Sequence, residues 1–195
     1  EATAYAKTGD YKKALEIYSS IPWEQLPSKS GLRQVTINTF LKSMEPYIDI
    51  KKNTAKVLES KGQHREALNE YLEALKLSDE KKSKEIRSEI ASLIKKNPYL
   101  SEIPEDARKY ALRGEAMLKD GKFEEALKEY KTAIKNAPYI AVLYRTTALV
   151  YGELKDYPQA ISHMNIYLEL MPDAPDARAV KDQIYKWEFM MEIRK

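Results

Sequence analysis

One internal repeat constrains this chain more than any other feature of its sequence. Residues 110–138 align without a gap on residues 144–172, at an offset of 34 residues. Ala126 falls on Ala160, and each copy ends on a proline. Self-similarity at such a period indicates a chain that stacks one supersecondary unit, because a single unit cannot bury its apolar face alone.

The residues of one copy predict two helices that cross closely. Gly114 and Ala126 carry little side-chain bulk, so the two backbones can approach each other. Asp120 and Gly121 supply a turn between the helices, and Pro138 stands where the second helix must stop. Bulky residues at helical spacing fill the space around the crossing: Tyr110, Met117, Phe123 and Tyr130.

This pattern resembles the tetratricopeptide repeat (TPR) family, whose unit is a pair of antiparallel helices. The resemblance is most specific over 107–174 and continues in degenerate copies around 1–22 and 48–79. It implies an all-α fold, an antiparallel helix-pair solenoid of about 10–11 helices that ends in a C-terminal capping helix.

The spacing in the first half of the chain predicts two extra helices. Ala14 and Ala67 are 53 residues apart, and Ala67 and Ala126 are 59 apart, which exceeds the 34-residue period by about one helix and a loop each time. The extra helices are expected at 32–44 and at about 80–96. One long helix over 31–61, kinked at Pro46, is the alternative to a separate helix at 32–44.

These spacings divide the chain into three segments. Residues 1–97 form an irregular half with two extra helices, 104–174 hold two regular repeats, and 175–195 form the capping helix. Loops are expected at 22–30 and 97–105. We expect one continuous solenoid that is a fragment of a longer protein, because Glu1 falls in the middle of a repeat.

The composition excludes several classes of protein. The 33 basic and 30 acidic residues are mixed along the chain, and the absence of cysteine removes disulfides and thiolate sites. No stretch of about 18 apolar residues is present, so membrane insertion is not expected. The compartment stays open between cytoplasm and bacterial periplasm; the segment 172–188 looks like the ends of many bacterial TPR proteins.

No group of residues predicts an enzyme, a cofactor site or a metal site. His64 is expected to be a packing residue and His163 a surface residue, and neither belongs to a metal-binding motif. Nucleic-acid binding is not expected either. The densest basic run, between Lys81 and Lys96, is interleaved with glutamates and has no aromatic residues beside it for base stacking.

The resemblance implies that the first helix of each pair lines a concave face that binds a peptide or a partner's helix. The candidate groove residues are Lys52, Lys56, Arg108, Glu115, Lys119, Arg145, Leu149 and Glu153. They predict a partner with acidic groups and some apolar anchors. One TPR subclass grips a C-terminal carboxylate, but Lys56 stands where that subclass needs Asn, so this ligand is not expected.

The last segment predicts a cap and a small apolar patch. Val180, Ile184 and Trp187 belong to one apolar helix face. Phe189, Met190 and Ile193 lie off that face; they wrap back on the last repeat, contact a partner or meet a second copy. The sequence therefore predicts a protein-binding scaffold or adaptor, with self-assembly (a homo-oligomer) or a regulatory module of a larger protein as alternatives.

Overall fold

The computed structural model describes residues 1–22 and 31–193. These residues form eleven α-helices and one short 3₁₀ helix, Pro98–Ser101, and contain no strand, so the all-α prediction is confirmed. The helices are α1 (Ala2–Lys7), α2 (Tyr11–Ser19), α3 (Gly31–Ser43), α4 (Glu45–Ser60), α5 (His64–Lys76), α6 (Glu80–Lys96), α7 (Glu105–Lys119), α8 (Phe123–Asn136), α9 (Ala141–Glu153), α10 (Tyr157–Leu170) and α11 (Ala177–Glu192).

The chain divides into two compact units, Glu1–Ile86 and Arg87–Lys195. In the first unit, α1 pairs with α2 and α4 pairs with α5, while α3 packs on α1. Ala14 and Ala67 are completely buried, as the small residues of degenerate repeats should be. Helix α6 has the predicted bounds, and it begins in the first unit and ends in the second.

The junction between α3 and α4 combines the two arrangements that the sequence left open. Met44 alone separates the helices, and its backbone keeps helical angles, φ −90° and ψ −1°. The Met44 amide donates to the Phe40 carbonyl at 3.1 Å, and the Ile48 amide donates to the Met44 carbonyl at 3.0 Å. Pro46 has no amide hydrogen to continue the ladder, which accounts for a break at this point.

In the second unit, consecutive helices pack on one another. Helix α7 pairs with α8 and α9 pairs with α10; α8 also contacts α9, and α10 contacts α11. Ala126 and Ala160 are completely buried at the crossings. The approach at Gly114 is so close that a methyl group there would come within 2.8 Å of the Tyr130 ring. The helix-pair packing predicted from the repeat is therefore confirmed here.

The two regular repeats differ at one turn position. Gly121 follows α7 with φ +71°, and the equivalent residue after α9 is Lys155, with φ +60°. Helices α8 and α10 end at Asn136 and Leu170, two residues before the prolines that the repeat predicts as stop signals.

Two predicted segments fall partly outside the described residues. Of the loop expected at 22–30, residues 23–30 lie outside the described part of the chain. Of the capping helix expected at 175–195, the last two residues lie outside it. Over Ala177–Glu192 the cap is present, with Val180, Ile184 and Trp187 buried.

Candidate functional site

An exposed face of α7 lies beside an exposed face of α9. On α7, Arg108, Glu115 and Lys119 recur at spacings of seven and four residues, which places them on one side of the helix. On α9, Arg145, Leu149 and Glu153 recur every four residues. These six predicted residues thus mark the same kind of face on the first helix of each regular repeat.

Between these helices lies an open groove of about 630 Å³. Apolar side chains form much of it, and charged ones stand at one end and along α7. Its lining residues are Glu102, Ile103, Glu105, Arg108, Ala111, Leu112, Glu115, Tyr130, Val142, Leu143 and Thr146. Of the predicted residues, Arg108 and Glu115 line the groove. An apolar concavity with a few charged groups is the usual form of a binding site.

Two basic residues of α7, Arg108 and Lys119, are paired with acids on the same helix. Arg108 forms an ion pair with Glu105 at 3.3 Å, and Lys119 pairs with Glu115 at 2.9 Å. The hydrogen bond to Glu115 raises the pKa of Lys119 above its ordinary value. All four side chains are well exposed, so these pairs contribute little to stability, but they partly neutralise the positive charge that the sequence assigns to this face.

Arg145 is held by the segment that leads into the cap. Its guanidinium lies 2.8 Å from one carboxylate oxygen of Asp176, and the Tyr167 hydroxyl donates to the other at 2.6 Å. The hydrogen bond from Tyr167 lowers the pKa of Asp176, with a further contribution from Arg145. Burial, followed by that hydrogen bond, raises the pKa of Tyr167 to about 12. Arg145 therefore has an internal partner.

Lys52 and Lys56 belong to α4, in the first unit. Lys52 is largely covered, with about 20% of its side chain exposed, and it pairs with Glu85 of α6 at 3.4 Å. Lys56 is exposed. Neither lysine lines the groove between α7 and α9.

The apolar residues of the groove were not predicted from the sequence. Leu112 and Val142 line the groove and are 54% and 49% exposed. Leu149, which was predicted, is 40% exposed but does not line the groove. The 34-residue period could have found Val142, because it is the equivalent of Arg108 in the next repeat. Glu102 and Ile103 precede the repeat, so the period gives no signal for them.

His163 packs against two tyrosine rings. His163, predicted to be a surface residue, is partly buried, and its ring centre lies 6.0 Å from that of Tyr144 and 5.0 Å from that of Tyr151. Burial lowers its pKa below the ordinary value. Among residues 1–22 and 31–193, no cluster of three or more potential metal ligands is found, and no helix is both long and apolar enough to cross a membrane.

The apolar patch on α11 is exposed. Phe189, Met190 and Ile193 are 60%, 42% and 61% exposed, so they do not wrap back on the last repeat. Tyr185, one turn before Phe189, adds a fourth exposed side chain that the sequence pattern did not single out. We call these four residues the α11 patch.

One family model and several solved structures are similar to this chain. Residues 52–141 match the sequence model of the tetratricopeptide repeat family. Among solved structures, the TPR2B-domain:pHsp70 complex of yeast Sti1 is 21% identical, with 73% of this chain and 97% of that chain covered and a TM-score of 0.41. The TPR domain of Arabidopsis OM64 is 19% identical, with 71% and 94% covered and a TM-score of 0.39.

A third structure, YrrB, is described as a TPR protein with an unusual peptide-binding site. It is 16% identical, with 93% of this chain and 88% of that chain covered and a TM-score of 0.38. A comparison with curated protein sequences finds no match.

Proposed function

Since residues 52–141 belong to the tetratricopeptide repeat family, we propose that this chain is a non-enzymatic interaction scaffold that binds a peptide or partner segment between α7 and α9. The observation that carries this proposal is the exposure of Leu112 and Val142 within one open groove. Apolar side chains gathered in a concavity favour a partner that covers them.

The apolar part of this groove supplies only a fraction of the binding energy that a complex needs, so polar contacts at the rim must add to it. Full burial of an aliphatic side chain is worth about 1.5–3 kcal/mol, so covering two that are half-exposed gives about half of that each. An extended or helical segment that inserts one or two apolar side chains would obtain this gain and add polar contacts at the rim.

Affinity capture with point variants tests the proposal. The chain, its Leu112→Asp variant and its Met171→Asp variant would be used to capture proteins from a lysate of the source organism. Met171 is a matched control because it is 44% exposed but does not line the groove. We expect a set of partners that Leu112→Asp loses and Met171→Asp retains. Identical sets from all three proteins would contradict the proposal.

Self-assembly through the α11 patch is a second candidate, favoured by the exposure of all four side chains. Side chains of this size, more than half-exposed on average, offer on the order of 400 Å² per copy, or about 800 Å² for two copies. Stable interfaces bury about 1,200–2,000 Å², so the dimer would be weak.

Light scattering over a range of protein concentrations tests self-assembly. Self-assembly is supported if the mass of the wild-type chain rises with concentration while the mass of the Phe189→Glu variant stays that of a monomer. A wild-type chain that stays monomeric at millimolar concentration removes this candidate.

A further inference from the structure

The charged residues that line the groove between α7 and α9 are mostly acidic. Three carboxylates, those of Glu102, Glu105 and Glu115, face one guanidinium, that of Arg108, which gives the lining a formal charge of −2. This balance is opposite in sign to that of the whole chain, which carries a formal charge of +3. The groove lining thus differs in sign from the chain as a whole.

Internal ion pairs leave part of this negative charge without a counterion. Glu105 is paired with Arg108, and Glu115 is paired with Lys119, at the far end of the same helix. In the part of the chain that the structure describes, no ion pair is found for Glu102. A cation from a partner can thus approach Glu102 without displacing an existing pair.

Acidic residues lie before and after Leu112 along the groove, because Glu102 precedes α7 and Glu115 lies near its C-terminal end. Glu102 is next to Ile103 in the chain, and Glu115 follows Leu112 by one helical turn. A partner whose apolar side chain contacts Leu112 and Val142 therefore brings its neighbouring residues toward these carboxylates.

We infer that the groove selects a segment with an apolar anchor flanked by lysine or arginine. This inference rests on the proposed function, which makes the groove a peptide site, and it differs from the acidic partner that the sequence favours. The difference arises because Arg108, Lys119 and Arg145 already have acidic partners in the folded chain, whereas Glu102 lines the groove with no ion pair among the described residues. Complementary charge at such a rim favours the matching partner and repels the opposite one.

The inference predicts a preference of moderate size. Glu102 is the lining carboxylate without an ion pair in the described chain, and one exposed charge pair has a small effect, so affinity should differ by about two- to fivefold between basic and acidic versions of one peptide. Screening should reduce this ratio as the salt concentration rises, because the rim is solvent-exposed.

A displayed library of random twelve-residue peptides provides the test. The library would be selected on the wild-type chain and, in parallel, on two variants, Leu112→Asp and Glu102→Lys/Glu105→Lys. Circular dichroism would confirm that each variant keeps its helix content. We expect wild-type selection to enrich peptides with an apolar residue flanked by Lys or Arg, and the charge-reversed variant to shift the enriched flanks toward Asp and Glu.

The outcomes separate the inference from the proposed function. Enrichment of peptides with acidic or uncharged flanks, lost in Leu112→Asp, would keep the groove as a peptide site and overturn its preference for basic segments. Equal selection by wild type and Leu112→Asp would overturn both. Basic flanks that persist unchanged on the charge-reversed variant would also overturn the inference, because the preference would then come from another surface.

Discussion

Gly152 on α9 lies directly against the indole of Trp187 on α11. A methyl group at position 152 would come within 2.7 Å of the ring carbon Cζ2 and 3.0 Å of Cε2. Trp187 is 6% exposed, so its ring has little room to move away. The absence of a side chain at Gly152 therefore allows the cap to approach the last repeat.

Gly152→Ala should destabilise the second unit even though alanine is the better helix former. The gain in helix propensity is about 1 kcal/mol, whereas forcing a methyl group into a packed contact costs about 1–3 kcal/mol. We expect a net loss of about 1 kcal/mol, measured by urea unfolding. In a Trp187→Phe background, which removes Cζ2, the same substitution should cost less; an equal cost would show that the ring contact is not the cause.

Lys155→Gly should stabilise the chain. A non-glycine residue in the left-handed region destabilises the folded chain by about 1–2 kcal/mol. Glycine removes this strain, but its larger conformational entropy in the unfolded chain offsets about 0.5–1 kcal/mol of the gain. The expected net gain is about 0.5 kcal/mol in thermal or urea unfolding. Gly121→Lys, at the equivalent turn, should have the opposite sign, and the same sign for both variants would refute this explanation.

The ion pair between Arg87 and Glu169 should matter more than the exposed pairs. Its atoms are 2.6 Å apart and the two side chains are 12% and 19% exposed. Glu169→Gln leaves Arg87 largely buried without a counterion, which should cost about 1–3 kcal/mol. Lys95→Gln is the control on the same helix; its pair with Asp173 is highly exposed and should contribute less than about 0.5 kcal/mol.

His163 should make stability depend on pH. Burial lowers its pKa in the folded chain below the ordinary value of 6.5, so the unfolded chain binds the proton more readily. The contribution is complete above pH 6.5 and is lost as the pH falls through that value toward the folded pKa. Between about pH 8 and about pH 5, wild type should lose more stability than His163→Gln. Equal losses would exclude His163 as the source.

Much of the fold could be predicted from the sequence because the small residues of each repeat indicate where its two helices cross. Ala126 and Ala160 identify the crossing points by their size, and they are fully buried. The position of α6 followed from the separation of Ala67 and Ala126, which exceeds the repeat period by about one helix and a loop. The junction at Met44 could not be predicted, because Pro46 is compatible with a kinked helix and with the start of a new one. The outcome depends on whether the backbone carbonyls before Pro46 find other hydrogen-bond donors.

The site was less predictable than the fold. Helical periodicity indicates which side of α7 is free of core contacts, but it does not show which charges are already paired. Arg145 and Asp176 are 31 residues apart, and they meet only because the segment after α10 returns to the last repeat. Tyr185 lies off the apolar face of α11 that the sequence indicates, and no second helix of the described chain covers that position.

The link from Tyr167 through Asp176 to Arg145 also affects how the chain opens. It ties the entry of α11 to both helices of the last repeat, and Trp187 packs on Gly152 three turns further along. Terminal helices often fray independently, so their amide hydrogens exchange early. Here the amides of α11 around Val180 and Ile184 should exchange at the same rate as those at the centres of α9 and α10, as a single cooperative unit.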